Sequence, residues 1–131
     1  MHLTFHGAVR TVTGSLHQLE VGGALVYLDC GLFQGRRTEA SERNRHFPSA
    51  PRDVEAVILS HAHLDHCGNL PTLAAQGFRG PIYCTSATRD LAAVVLRDSA
   101  KVQRQDLGIV SKIRRRQGLP KAEVLYDLRA A

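Results

Sequence analysis

Six consecutive positions, His61-Ala62-His63-Leu64-Asp65-His66, carry four side chains that can ligate a metal ion. They follow the apolar run Val57-Ile58-Leu59 and precede a segment with helical signals. In open α/β sheets, loops at the carboxyl ends of strands are the usual place for a site. Residues two apart in an extended segment point the same way, so His61 and His63 can face one ion. If the chain then turns toward a helix, Asp65 and His66 can face a second ion beside it. Imidazole nitrogen and carboxylate oxygen are zinc ligands, and a catalytic zinc keeps one position open for water. Two ions about 3.5–4 Å apart can clamp the attacking and leaving oxygens of a phosphodiester, chemistry that needs no side-chain nucleophile. Asp65 could both hold metal and orient the attacking water. The rival reading is surface histidines grouped by chance, which so dense a cluster at a strand end disfavours. The other histidines have weaker claims: His2 and His6 fit the outer face of a first strand, His17 fits packing beside Leu19 and Val21, and His46 lies in a polar connection.

The elements that must position this cluster can be read from hydrophobic period and turn residues. Leu3 and Phe5 alternate with polar neighbours, as in a half-buried strand. Ser15 to Val21 and Ala24 to Asp29 read as two more strands, joined by Gly22-Gly23 as a tight hairpin turn. Residues 36–51 are polar and predict a short helix and a surface connection. Glu55 to Ser60 predicts a strand ending at the cluster. Asn69, Pro71 and Gly77 predict the cap, first turn and end of a short helix. Pro81 to Thr85 predicts a short strand. From Ser86 to about Gln117 the pattern is helical, with Leu91, Val95, Val102, Ile109 and Ile113 near one stripe that would face the core, Asp98 on the same stripe and expected in a partly exposed ion pair rather than bonded within the core, and Gly108 as a candidate break. Hairpins followed by alternating strands and helices imply an α/β layered fold with a mixed sheet.

Composition sets the outer limits. The chain has 131 residues, 44% hydrophobic and 22% charged, which suits one soluble globular domain. It contains no apolar run of membrane-spanning length, and its first residues lack the cationic and long apolar regions of a signal peptide. Cys30, Cys67 and Cys84 are odd in number and form no CxxC pair, so a reducing cytoplasm is the expected compartment. The net charge is +5, and its excess falls late: Arg97 to Lys121 holds eight Lys/Arg and two Asp. A basic surface attracts polyanions such as RNA; a solvated helix face accounts for the same charges.

The pattern HxHxDH is the signature of the metallo-β-lactamase superfamily. Val12-Thr13-Gly14-Ser15, Gly31-Leu32-Phe33-Gln34-Gly35 and Asp65-His66-Cys67-Gly68-Asn69-Leu70-Pro71 narrow the match. With them the chain resembles the metal-binding front half of a β-CASP-type RNA-processing nuclease. The resemblance implies a partial αββα sandwich, a mixed sheet with flanking helices. It implies two zinc ions held by His61, His63, Asp65 and His66, and makes Asp65 a catalytic residue. Asp29, at the end of its strand, matches the superfamily's first motif, where an aspartate bonds and orients the metal-bearing loop. Cys67 becomes a packing residue rather than a ligand. RNA is the implied substrate.

The chain also departs from that family. No histidine follows His66, and the family's later histidine, later aspartate and inserted β-CASP domain have no counterpart. Each ion is left with two ligands where a catalytic zinc ordinarily has three. Residues 1–131 therefore read as the N-terminal part of a metallo-β-lactamase-like domain, with weak metal binding and little or no activity alone. Such a piece is expected to leave a sheet face uncovered and to need a C-terminal half or a homo-oligomeric partner. Two rival functions stay open: a superfamily hydrolase of a small substrate such as a thioester, and a non-enzymatic RNA-binding fragment.

Overall fold

The computed structural model describes residues 1–131. Five strands, β1 (His2–Phe5), β2 (His17–Val21), β3 (Ala24–Leu28), β4 (Ala56–Ile58) and β5 (Ile82–Tyr83), form one sheet in the order β1-β2-β3-β4-β5. β1, β2 and β3 pair antiparallel; β3-β4 and β4-β5 pair parallel. The helices are α1 (Arg37–Arg43), α2 (Leu64–Cys67), α3 (Leu70–Ala75) and α4 (Ser86–Arg116), with a 3-10 turn at Pro51–Asp53. The mixed α/β layering expected from the sequence is present. No helix is long and apolar enough to cross a membrane.

Turn chemistry sets the register. Gly22 and Gly23 take φ of 59° and 89°, which places Val21 opposite Ala24 and aligns His17 with Leu28. Gly77 and Gly118 also take positive φ. Each closes a helix by the same pair of bonds: Phe78 and Gly77 N–H donate to Leu73 and Ala74 carbonyls, and Leu119 and Gly118 N–H donate to Arg114 and Arg115 carbonyls. Asn69 stands at the α3 N-cap position but does not cap with its side chain; the Nδ2 instead donates to the Asn44 carbonyl at 3.0 Å. Gly108 does not break α4, which runs unbroken for 31 residues from a Thr85 cap.

One face of the sheet is buried and the other is not. Tyr27 and Val57 are fully buried and pack with Leu59, Cys67, Leu70, Leu73, Phe78, Ala92 and Leu96, so the helices form a single layer over that face. The pairing puts Leu3, Phe5, Leu19, Val26, Leu28, Ile58 and Tyr83 on the opposite face. There Leu3, Phe5, Ile58 and Tyr83 are 42%, 57%, 48% and 60% exposed. The alternation in β1 is real, but nothing covers its apolar side. The same holds for α4. Its buried residues are Ala92, Leu96, Ser99 and Ala100, whereas the stripe Leu91, Val102, Ile109, Ile113 faces outward. The period was correct and the inward side was not. Small Ala and Ser side chains let α4 pack closely on α2 and the Tyr126 segment, and periodicity alone does not distinguish that side from a larger apolar stripe. Asp98 is exposed and in no ion pair. Residues 121–131 lie along α4: the Tyr126 hydroxyl, buried, donates to Ser99 Oγ at 2.9 Å, and Leu125 N–H donates to Gln103 Oε1 at 2.9 Å.

An apolar sheet face left open to water drives association. This chain is expected to enhance the fluorescence of an apolar dye and to self-associate with rising concentration in sedimentation velocity. Leu3→Lys with Phe5→Lys should reduce both. A strictly monomeric, dye-inert wild-type chain would contradict the exposed face.

Candidate metal centre

β4 delivers the chain to Leu59 at the carboxyl edge of the sheet, and the following loop carries the histidines. His63 is the extended residue before α2, and Asp65 and His66 sit on that single turn. The loop is gripped from behind. Three consecutive carbonyls, those of Leu64, Asp65 and His66, accept N–H groups from Leu32, Ser15 and Cys30, each at 2.8 Å. Such a ladder leaves no freedom for the peptide planes on which the ligand side chains stand.

Gly31 makes that approach possible. Its N–H donates to the Ser15 carbonyl at 2.8 Å, and a Cβ at this position would collide with the Asp65 carbonyl and crowd the Ser15 nitrogen at 2.7 Å. The requirement is close backbone approach.

The side chains are held through Asp29. This residue has φ of 60°, a left-handed conformation that Asp tolerates better than most residues. Its carboxylate is 7% exposed as a residue and accepts four bonds. Oδ1 accepts Ser60 N–H at 2.8 Å; Oδ2 accepts the Ser60 hydroxyl at 3.0 Å, the Ser15 hydroxyl at 3.2 Å and His66 Nδ1 at 2.7 Å. Burial alone would raise its pKa, but the Ser60 amide, the His66 ring and the Ser60 hydroxyl outweigh that and hold it below the usual carboxylate range. With Nδ1–H donated to Asp29, the lone pair of His66 is left on Nε2, 3.6 Å from Asp65 Oδ2. Ser60 Oγ also meets His61 Nδ1 at 3.0 Å, which leaves the His61 lone pair on Nε2, 3.2 Å from His63 Nδ1. The rings of His61 and His66 are 3.9 Å apart between centroids, and those of His61 and His63 are 4.7 Å apart.

The four cluster residues and Asp29 are thus brought together. The donors form two pairs, and no group of three or more His, Cys, Asp or Glu side chains is arranged around one ion. The pair spacings can be tested against zinc chemistry. Bonds of about 2.0–2.1 Å at a tetrahedral angle separate two ligand atoms by about 3.3 Å. The 3.2 Å between His61 Nε2 and His63 Nδ1 fits, and the 3.6 Å between His66 Nε2 and Asp65 Oδ2 is close to it. The donor set fits a divalent ion at each pair, two ligands at a time.

Ser60 and Ser15, which tie the loop to Asp29, were not singled out from the sequence. Their contacts cross 31 and 14 positions, and only the presence of Ser15 in Val12-Thr13-Gly14-Ser15 marked it. Of the other histidines, His2, His6 and His46 are exposed and away from the cluster, and His17 packs edge-on against Phe5 with ring centroids 4.9 Å apart. Cys67 is fully buried in the core, and burial, with smaller contributions from the Asp29 and Asp65 charges, pushes its thiol up to about 11. Cys30, wholly buried, is pushed higher still.

A family model described as a beta-lactamase superfamily domain matches residues 25–118, spanning β3, the ligand loop and α4. The chain belongs to that superfamily. Ribonuclease TTHA0252 of Thermus thermophilus is 50% identical over 102 residues, 78% of this chain and 23% of the relative. The transcription termination factor FttA of Methanocaldococcus jannaschii is 36% identical over 110 residues, covering 81% and 17%. Integrator complex subunit 11 of Danio rerio is 34% identical over 106 residues, covering 73% and 17%. The chain spans less than a quarter of the length of these relatives. Among solved structures, human tRNase Z, short form, aligns with a TM-score of 0.46 at 24% identity, over 76% of this chain and 39% of that one. A Cronobacter sakazakii metallo-β-lactamase with a HARLDQ motif aligns at 0.48 and 23% identity, over 64% and 30%. The superfamily resemblance carried by HxHxDH is borne out.

Two outcomes follow for this beta-lactamase superfamily chain. Gly31→Ala and Asp29→Ala should each cost about 3 kcal/mol in urea unfolding, the first through backbone collision and the second through orphaned buried donors. A loss within about 0.5 kcal/mol, the range of ordinary surface substitutions, would contradict the grip described here. Under native conditions an alkylating reagent should modify exposed Cys84 first and reach Cys30 and Cys67 only on unfolding; equal labelling of all three would contradict the burial.

Proposed function

We propose that the chain is the metal-binding part of a β-CASP-type, zinc-dependent phosphodiester hydrolase acting on RNA in the cytoplasm. The observation that carries the proposal is the pair of donor pairs, His61 with His63 and Asp65 with His66, each at a separation suited to a tetrahedral ion. A relative named as a ribonuclease, with another named as a transcription termination factor, supports RNA over a thioester. In this reading, residues 1–131 are the N-terminal part of a metallo-β-lactamase-like domain, and two ligands per ion fall one short of the usual three.

Each residue has a definite task. His61 Nε2 and His63 Nδ1 would hold one ion, and His66 Nε2 and Asp65 Oδ2 the other. Asp29 fixes the His66 tautomer and ring plane, and Ser60 bridges Asp29 to His61. Asp65, partly exposed, would both hold metal and orient the attacking water. Divalent ions, when bound, supply Lewis-acid polarisation of the phosphoryl oxygens and lower the pKa of water.

The test pairs binding with turnover. Calorimetric zinc titration should show weak binding that is lost in His61→Ala with His63→Ala. Any RNA cleavage by the zinc-loaded chain should be slow and stop on chelation, and S-lactoylglutathione should stay intact. Zinc binding unaffected by the double substitution, or hydrolysis of the thioester in preference to RNA, would refute the proposal.

A further inference from the structure

The late basic excess has a geometry that the metal centre does not use. At 3.6 residues per turn, Arg97, Lys101, Arg104, Lys112 and Arg115 of α4 project within an arc of about 80°. All five are exposed. The ion pairs of the structure involve Arg43, Arg52, Arg89 and His66, and none of these five. No carboxylate falls on the arc between Arg97 and Arg115: Asp98 and Asp106 project to other sides of the helix. Gly108 lies in the middle of the stripe, exposed, with nothing within 4 Å of where a Cβ would stand. From Arg97 to Arg115 the row extends 18 residues, about 27 Å at about 1.5 Å per residue.

Leu96, the residue before Arg97, is buried in the same cluster as Cys67, and α4 packs against α2, which carries Asp65 and His66. The cations follow Leu96 along α4 on an exposed side of the helix. Five cations left without internal partners, in a carboxylate-free row, complement a linear polyanion. The two carboxylates of this half of α4, Asp98 and Asp106, lie off the row.

We propose that this α4 stripe is a docking track for the phosphodiester backbone of single-stranded RNA, holding the strand on one side of the cleavage position. This rests on the RNA-hydrolase reading for its choice of polyanion. The interaction is read through backbone charge, so it is indifferent to sequence and steep in salt.

The experiment is fluorescence anisotropy of a labelled single-stranded RNA with the 131-residue chain in EDTA, across a salt series. Each phosphate neutralised contributes a slope of about −0.7 for single strands, so five contacts give about −3.5, or roughly 100-fold weaker binding between 50 and 200 mM salt. Lys101→Gln with Arg104→Gln should make the slope shallower by about 1.4. Arg52→Gln, an exposed site away from α4, should change it little, and circular dichroism of each variant confirms that α4 is retained. An unchanged slope in the double variant, or an equal change in Arg52→Gln, overturns the track. So does polyglutamate competing as well as RNA at matched charge, which assigns the stripe to acidic peptide. Because EDTA removes metal from the measurement, RNA binding here combined with zinc binding that survives His61→Ala with His63→Ala counts against the hydrolase reading alone.

Discussion

The buried carboxylate of Asp29 is the interaction on which the site depends. It lies at the end of β3 in a left-handed conformation, where the chain leaves the sheet, and accepts from Ser15, Ser60 and His66 at once. Those partners come from three separate stretches of chain, so one acid ties the β1–β2 connection, the end of β4 and α2 together. A buried charge persists only when hydrogen bonds replace its lost hydration. Four acceptor contacts do this, and they keep Asp29 ionised while aligning the His66 ring. The backbone repeats the logic beside it, where Ser15, Cys30 and Leu32 hold three successive carbonyls of the ligand turn.

This arrangement separates positioning from ligation. The ligand-type side chains are partly or fully exposed, whereas Asp29 and Ser15 behind them are buried. Rigid support behind an open site is what a hydrolytic metal centre requires, because the ion needs ligands fixed in advance and a position left for water. The two buried cysteines belong to the support. Both are packed among apolar side chains with their thiols kept protonated, despite the adjacency of Cys67 to the ligand run.

What could be read from the sequence was whatever is encoded locally. HxHxDH is contiguous, the Gly22-Gly23 turn is a two-residue signal, and the end of α4 is marked by Gly118. Asp29 entered through a resemblance rather than from its own neighbours, since its contact with His66 spans 37 positions. Ser60 could not be recognised because a serine at a strand end carries no pattern. The inward side of α4 was misplaced for a packing reason: Ala92, Ser99 and Ala100 bury because they are small, while Leu91, Ile109 and Ile113 remain outside. Apolar size marks a core face only when the covering layer is known, and one layer of this sheet and helix assembly is open.

The most direct test of the account is imidazole nitrogen NMR of the chain during zinc titration. Coordination should move the resonances of His61 Nε2, His63 Nδ1 and His66 Nε2 together, with His66 Nδ1 remaining protonated against Asp29, and should leave His2, His6 and His46 in place. A titration that spares those three rings, or that perturbs the surface histidines in their stead, would contradict the claim that Asp29 arranges this loop for metal.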